Sequence, residues 1–242
     1  MRLAVSLDYA SGPLPQIDAV VALEDAGVDH VWVPEAYGFD AVTALGALAA
    51  RTRRVTLGPG VLPVHTRTPA LIAQTAAGLD ALSGGRAVLG LGTSGPGVIE
   101  GFHGVPFARP RERMREVVTT CRAVWRREAP QGGLRPILAP PRARIPIVLA
   151  TMRPAAVAST AEVAEGWYPL MCLPERIGDV WGDALARGRA GRDAALGELQ
   201  TWVSMHVGLG EQADAARAAA RAHLALYLGG MGPRGGNFYT EV

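Results

Sequence analysis

The chain contains no lysine; all 24 of its Lys and Arg positions are arginine. That absence excludes Schiff-base and P-loop chemistry, both of which need a lysine ammonium. Cysteine is scarce as well. Cys121 and Cys172 show no metal-ligand spacing and read as reduced thiols of a cytoplasmic protein. No apolar run approaches the roughly 20 residues that span a bilayer. The apolar start Met1–Leu7 meets Asp8 without the length or small-residue cleavage site of a secretion signal, so it reads as a buried first strand. A net charge of +2, with arginines interleaved among acids, gives no nucleic-acid footprint. His30, His206 and His223 have no ligand spacing to one another, so no metal site is expected.

What is present is a 242-residue chain that is 49% hydrophobic, which suits one domain over residues 1–242 with a substantial core. Short apolar segments alternate with amphipathic ones, the pattern of parallel βαβ units. Strands are predicted at Leu3–Leu7, His30–Val33, Val55–Val61, Ala87–Leu91, Ile147–Leu149, Trp167–Leu170 and Gln200–Val207. Helices are predicted at Leu14–Ala26, Asp40–Arg51, Pro69–Leu82, Pro110–Arg127, Pro154–Ala164, Pro174–Ala190 and Gln212–Leu228. Ala129–Ile145, rich in Pro, Gly and Arg, reads as a loop with a short extended piece near Ile137, and 229–242 as an irregular tail. This is an α/β fold of the TIM-type (β/α)-barrel kind with about seven βα units, where closure takes eight.

Barrels of this kind keep their chemistry in the turns that follow the strands. Residues 55–104 hold two apolar strands, each running into a Gly-rich polar turn, with a helix between them. Glycine there lets backbone approach a flat or anionic ligand. Gly60-Val61 ends the third strand, either as a ligand platform or as an ordinary strand-to-loop turn. Gly92-Thr93-Ser94-Gly95 follows the fourth and offers backbone N–H groups and two hydroxyls. Thr151-Met152-Arg153 follows the fifth and opens a helix, where an anion is favoured; Arg153 is either its partner or a solvated surface arginine. Glu35 follows the second strand as a candidate proton donor or ring anchor, and nearby Asp40 reads as a helix N-cap. His103 could shuttle a proton or serve as a structural loop histidine; His65 carries the same two readings. Trp167 begins the sixth strand, and core packing alone would account for it.

The runs Gly58-Pro59-Gly60-Val61-Leu62-Pro63-Val64, Arg67-Thr68-Pro69, Leu82-Ser83-Gly84-Gly85-Arg86 and Gly90-Leu91-Gly92-Thr93-Ser94-Gly95-Pro96 resemble the luciferase-like monooxygenase superfamily. The nearest likeness is to the branch that uses the deazaflavin coenzyme F420. Trp32-Val33-Pro34-Glu35-Ala36, Gly101–Phe107, Ala164–Trp167, Gly229–Gly232 and Asn237-Phe238-Tyr239 continue it in order. The resemblance implies a non-prolyl cis peptide at Gly60-Val61 behind the deazaflavin ring, and a coenzyme site made of Gly60, Val61, Gly92, Thr93, Ser94, Gly95, Thr151, Met152, Arg153 and Trp167. It implies hydride transfer between coenzyme F420 and a small organic substrate, with Glu35 or His103 as the catalytic proton carrier. Some hydride-transferring members place a carboxylate where Gly95 stands, so that acid is missing here.

The same resemblance implies a further βα unit beyond the seven, and three explanations stay open: a truncated gene product or fragment, a partner chain that supplies the last strand, or a barrel that stays open or closes with seven strands. The absence of that unit leaves edges at Leu3–Leu7 and Gln200–Val207, where a second copy would dock as a homodimer. Two rival functions stay open. One is an oxygen-activating monooxygenase that uses flavin mononucleotide (FMN); the other is a non-catalytic, shortened barrel subunit.

Overall fold

The computed structural model describes residues 2–8, 12–139 and 142–230. These fall into two compact units, drawn from Met1–Ser94 with Val105–Val148 and from Gly95–Gly104 with Leu149–Val242. The sequence motif at Asn237-Phe238-Tyr239 lies outside the described residues.

In the first unit, β1 (Ala4–Ser6) pairs in parallel with β2 (His30–Val33), and β2 with β3 (Thr56–Pro59). The register sets Ala4 beside His30, and His30 beside Thr56. The third predicted strand is split: the Gly60–Val61 peptide is cis, and the chain resumes as β4 (Leu62–Pro63), parallel to β5 (Leu89–Gly92). Leu57 bridges to Ala87, which links β3 to the β5 segment. Leu89 donates its N–H to the Pro146 carbonyl at 2.8 Å, just ahead of β6 (Ile147–Ala150). With β3 and β4 as halves of one predicted strand, seven strand positions are found among the described residues.

Helices cover these strands where local chemistry starts and stops them. α1 (Pro13–Asp25) is followed by Gly27 at φ 95°. α2 (Ala41–Arg51) is capped by Asp40, whose carboxylate accepts from the Thr43 N–H at 2.7 Å. α3 (Pro69–Ser83) starts with Thr68 as N-cap and Pro69 at its first position. It stops at Gly84, whose left-handed φ of 69° suits glycine. A four-residue helix, α4 (Pro96–Ile99), precedes α5 (Pro110–Trp125). Arg142 reaches from the Pro/Arg-rich loop to the fully buried Asp80 of α3 at 2.5 Å and to the Ala87 carbonyl at 2.8 Å, anchoring that loop. The loop has no strand at Ile137, which is 95% exposed: one apolar residue among Pro and Arg finds no neighbouring strand to pair with.

The second unit contains α6 (Pro154–Val163), β7 (Gly166–Trp167), α7 (Ile177–Ala190), β8 (Gln200–Thr201) and α8 (Ala213–Ala225). β7 is shorter than predicted because Pro169, two residues on, has no N–H for a ladder. β8 pairs with β7 only at Gln200 and Thr201; Met205 and Val207, predicted to continue it, are 65% and 70% exposed. Their apolar alternation meets no buried face. α6 and α7 cross closely at Gly188, where a side chain would meet the Ala158 carbonyl at 2.2 Å.

The first unit also buries a titratable group. His30 is fully buried in β2, its Nδ1 is 2.6 Å from Thr56 Oγ1, and its ring centroid lies 4.0 Å from that of Trp32. The Thr56 hydroxyl gives its one proton to the Asp29 carbonyl, so His30 Nδ1–H is the donor between them. Burial, with a smaller contribution from the positive charge of Arg2, pushes its pKa down to about 3. The unfolded chain therefore takes up a proton near pH 6.5 that the folded chain refuses until about pH 3. The stability His30 contributes is full above pH 6.5 and is lost as pH falls through that window. Urea midpoints taken from pH 7 to pH 4 are expected to fall, and to fall less steeply in a His30→Asn variant; parallel slopes would refute the assignment.

Candidate functional site

Each unit contributes its own cluster of the residues singled out from sequence. In the first unit, Glu35 follows β2 and lies against Arg67 from the turn after β4. Arg67 Nη1 donates to Glu35 Oε1, and Nη2 donates to Oε2 at 3.0 Å. The Ala41 N–H also donates to Oε2 at 3.0 Å. Arg67 Nη2 reaches Asp40 Oδ1 at 2.8 Å as well, so one guanidinium joins the turns after β2 and β4 to the start of α2. The Glu35 side chain is only 8% exposed and that of Arg67 16%. The hydrogen bond to Glu35 raises the Arg67 pKa further above its ordinary value, despite burial. Burial pushes the Asp40 carboxyl upward, but the Thr43 hydrogen bonds and the Arg67 charge outweigh it and leave the pKa lowered. Arg113 of α5 secures the same turn from below, donating to the Val64 and Arg67 carbonyls at 3.0 Å each. His65 Nε2 lies 3.2 Å from the Ala108 carbonyl oxygen, and its ring packs on Phe107.

The strands beside this network have glycine at positions 58, 60 and 90, where Trp32 packs against the backbone. Side chains at Gly58, Gly60 or Gly90 would each run into Trp32 within 3.0 Å. Trp32, 2% exposed, thus fills the space under the strand ends, and the cis Gly60–Val61 peptide sits above its Cβ. After β5, Gly92 accepts the Val64 N–H, the Thr93 hydroxyl donates to the Ser94 carbonyl at 3.3 Å, and Ser94 adopts φ 57°. Gly60, Val61, Gly92, Thr93 and Ser94 therefore belong to one unit with Glu35.

The second unit holds Gly95, His103, Thr151, Met152, Arg153 and Trp167. Gly95 is the N-cap of α4, its carbonyl accepting from Val98 and Ile99. His103 packs edge-on against Phe102 at 5.0 Å. The turn 151–153 joins β6 to α6. The Thr160 hydroxyl spends its proton on the Ala156 carbonyl, so the Thr151 hydroxyl donates to Thr160 at 2.8 Å. Trp167, fully buried, donates its indole N–H to the Thr151 carbonyl at 2.8 Å. Sequence reasoning missed two participants. Arg67 was read as part of a motif with no partner, although an arginine just ahead of the Thr68-Pro69 helix start, with acids at 35 and 40, was the available signal. Trp181 falls inside the helix predicted from Pro174, and nothing in the sequence marks it.

The family model for luciferase-like monooxygenases matches residues 2–241. The chain belongs to this family. Its luciferase-like sequence is 38% identical, over an alignment 266 positions long, to a Mycobacterium tuberculosis protein provisionally named a coenzyme F420-dependent oxidoreductase, covering 100% of this chain and 76% of that one. It is 30% identical over 225 residues to a 5,10-methylenetetrahydromethanopterin reductase of Archaeoglobus fulgidus, covering 87% of this chain and 65% of the relative. Among solved structures it is similar to the coenzyme F420-dependent tetrahydromethanopterin reductase of Methanopyrus kandleri. The TM-score there is 0.79 at 21% identity, over 95% of this chain and 72% of that one, a likeness of fold. The α/β fold of the luciferase-like, TIM-barrel type expected from sequence is thereby established. No described helix is long and apolar enough to cross a membrane, and no described group of three His, Cys, Asp or Glu could hold a metal.

Proposed function

We propose that this luciferase-like protein is an oxidoreductase dependent on coenzyme F420, moving a hydride between the deazaflavin and a small organic substrate. The observation that carries this is the 38% identity, along the whole chain, to a relative provisionally named for that coenzyme. The residues present fit such a group. The cis Gly60–Val61 peptide, backed by Trp32, suits a flat ring, and the start of α6 at Arg153 suits an anion. When bound, the deazaflavin supplies hydride chemistry at its C5.

The chain's own part is holding and proton handling. Taken unit by unit, Gly60, Val61, Gly92, Thr93 and Ser94 are proposed to back and edge the ring. Gly95, Thr151, Met152, Arg153 and Trp167 are proposed to serve the coenzyme from the second unit. Glu35 and His103 are the two proposed proton carriers. Both Glu35 oxygens already accept from Arg67 and Ala41, which suits a carboxylate that orders its turn. The same reading takes the protein as a cytoplasmic homodimer, with light scattering as its check.

Titration of the purified chain with F420 and, separately, with FMN, followed by fluorescence, tests the reading. Saturable binding of F420 in preference to FMN is the expected result. Preference for FMN would turn the assignment to oxygen-activating chemistry. Binding of neither by a folded sample would leave a non-catalytic barrel subunit.

A further inference from the structure

The turn 151–153 is held in an unusual way for a strand-to-helix connection. Its first two carbonyls are taken by side chains rather than by backbone. Thr151 O accepts the Trp167 indole N–H at 2.8 Å, and Met152 O accepts the Trp181 indole N–H at 2.5 Å. The third carbonyl, Arg153 O, accepts the Ala156 and Val157 N–H groups of the first turn of α6. The two indoles meet edge to face, with centroids 5.2 Å apart and planes at 76°, and both are buried, at 0% and 3% exposure. Each ring thereby helps to immobilise the other. They pack in one apolar cluster with Val157 and Ala161 of α6 and Ala184 and Leu185 of α7.

The consequence follows from peptide geometry. In a planar trans peptide the C=O and the next residue's N–H point in opposite directions. Pulling the Thr151 carbonyl towards Trp167 turns the Met152 N–H away from it. Pulling the Met152 carbonyl towards Trp181 turns the Arg153 N–H away likewise. The indoles therefore decide which edge of the turn faces away from their cluster, and that edge is the donor edge. We propose that Trp167 and Trp181 are positioning residues that hold the donor edge of Thr151–Arg153 away from their cluster for the phosphodiester of the coenzyme. This rests on the F420 reading above and assigns Trp181 a part in coenzyme affinity. Neither indole is proposed to touch the coenzyme through its N–H, because both N–H groups are spent on the turn.

The variant Trp181→Phe keeps an aromatic ring in the cluster and removes the donor together with the indole's five-membered ring, a packing loss that the fragment's affinity and the melting temperature register separately. The probes are F420 and its riboflavin-level deazaflavin fragment, which has the same ring and no phosphodiester. The proposal expects Trp181→Phe to weaken F420 binding about tenfold and to leave the fragment's affinity unchanged, with a KM effect for F420 exceeding any effect on kcat. Near-UV circular dichroism of the tryptophan pair and the melting temperature establish that the variant is folded. If it does not fold, Trp181→Tyr, which fills more of the indole's space and likewise lacks the indole N–H, is read in the same way. An equal loss for both probes, or no loss for F420, overturns the proposal. Failure of the wild-type chain to bind either probe is a different result: it removes the F420 reading and this inference with it.

Discussion

Replacing Arg67 with methionine is expected to destabilise the protein by about 3 kcal/mol or more, the effect of leaving a buried charge without its partner. Glu35 is the group left behind. Its side chain is 8% exposed, and two of its three hydrogen bonds come from the Arg67 guanidinium. Asp40 adds less, because its side chain is 45% exposed and the Thr43 N–H and hydroxyl still hold it. Urea unfolding, compared at equal m-value, measures the loss. Two companions identify the cause. Arg67→Lys keeps the charge but has no planar fork, so it is expected to fall between wild type and methionine. Arg67→Met combined with Glu35→Gln is expected to be more stable than Arg67→Met alone, since no carboxylate is then stranded. A loss of no more than about 1 kcal/mol, the size typical of an exposed pair, would sink the argument.

The contrast between Arg67 and Glu35 bears on what could be read from the residues. Strand and helix order was legible because apolar period and cap residues agree at each step. His30–Val33 was predicted to the residue, Asp40 caps α2, and Pro69 and Gly84 bound α3. Predicted ends were displaced where tertiary partners decide them. β8 stops at Thr201 because no buried face meets Met205 and Val207, although their alternation is that of a strand. Glu35 was legible as an acid at a strand end. The Arg67 that holds it lies 32 residues away in sequence, and nothing local joins the two. Trp181 was less legible still. A tryptophan inside a helix looks like core, and its indole N–H gains a purpose only once α7 is laid beside the Thr151–Arg153 turn within the second unit. Local pattern carries elements and candidate turns; the pairings that aim a functional group are long-range.

Substitution of Gly90 by alanine is expected to be the most damaging single-methyl change in the first unit. A Cβ at this position would lie 2.0 Å from the Pro59 carbonyl oxygen and 3.0 Å from Trp32 Cζ3. The nearest obstacle is backbone of the neighbouring strand segment, which no rotamer change can move aside. The cost should reach or exceed the upper end of the roughly 1–3 kcal/mol range of core overpacking. Gly46, in the middle of α2, is the matched control. An added Cβ there meets nothing within 4 Å, so alanine should stabilise by about 0.5–1 kcal/mol through helix propensity. Melting temperatures are expected to move in opposite directions for the two variants, with Gly90→Ala far below wild type or insoluble. Adding Trp32→Leu separates the two obstacles. If the indole is what a methyl at 90 strikes, shrinking it restores stability. If the Pro59 carbonyl is the barrier, as the 2.0 Å approach indicates, the double variant stays at least as unstable as Gly90→Ala. Wild-type stability in Gly90→Ala would mean that β3 and β5 can part at no cost. The strand ends beside Gly60 and Gly92 would then be a pliable surface rather than a rigid floor for a flat coenzyme ring.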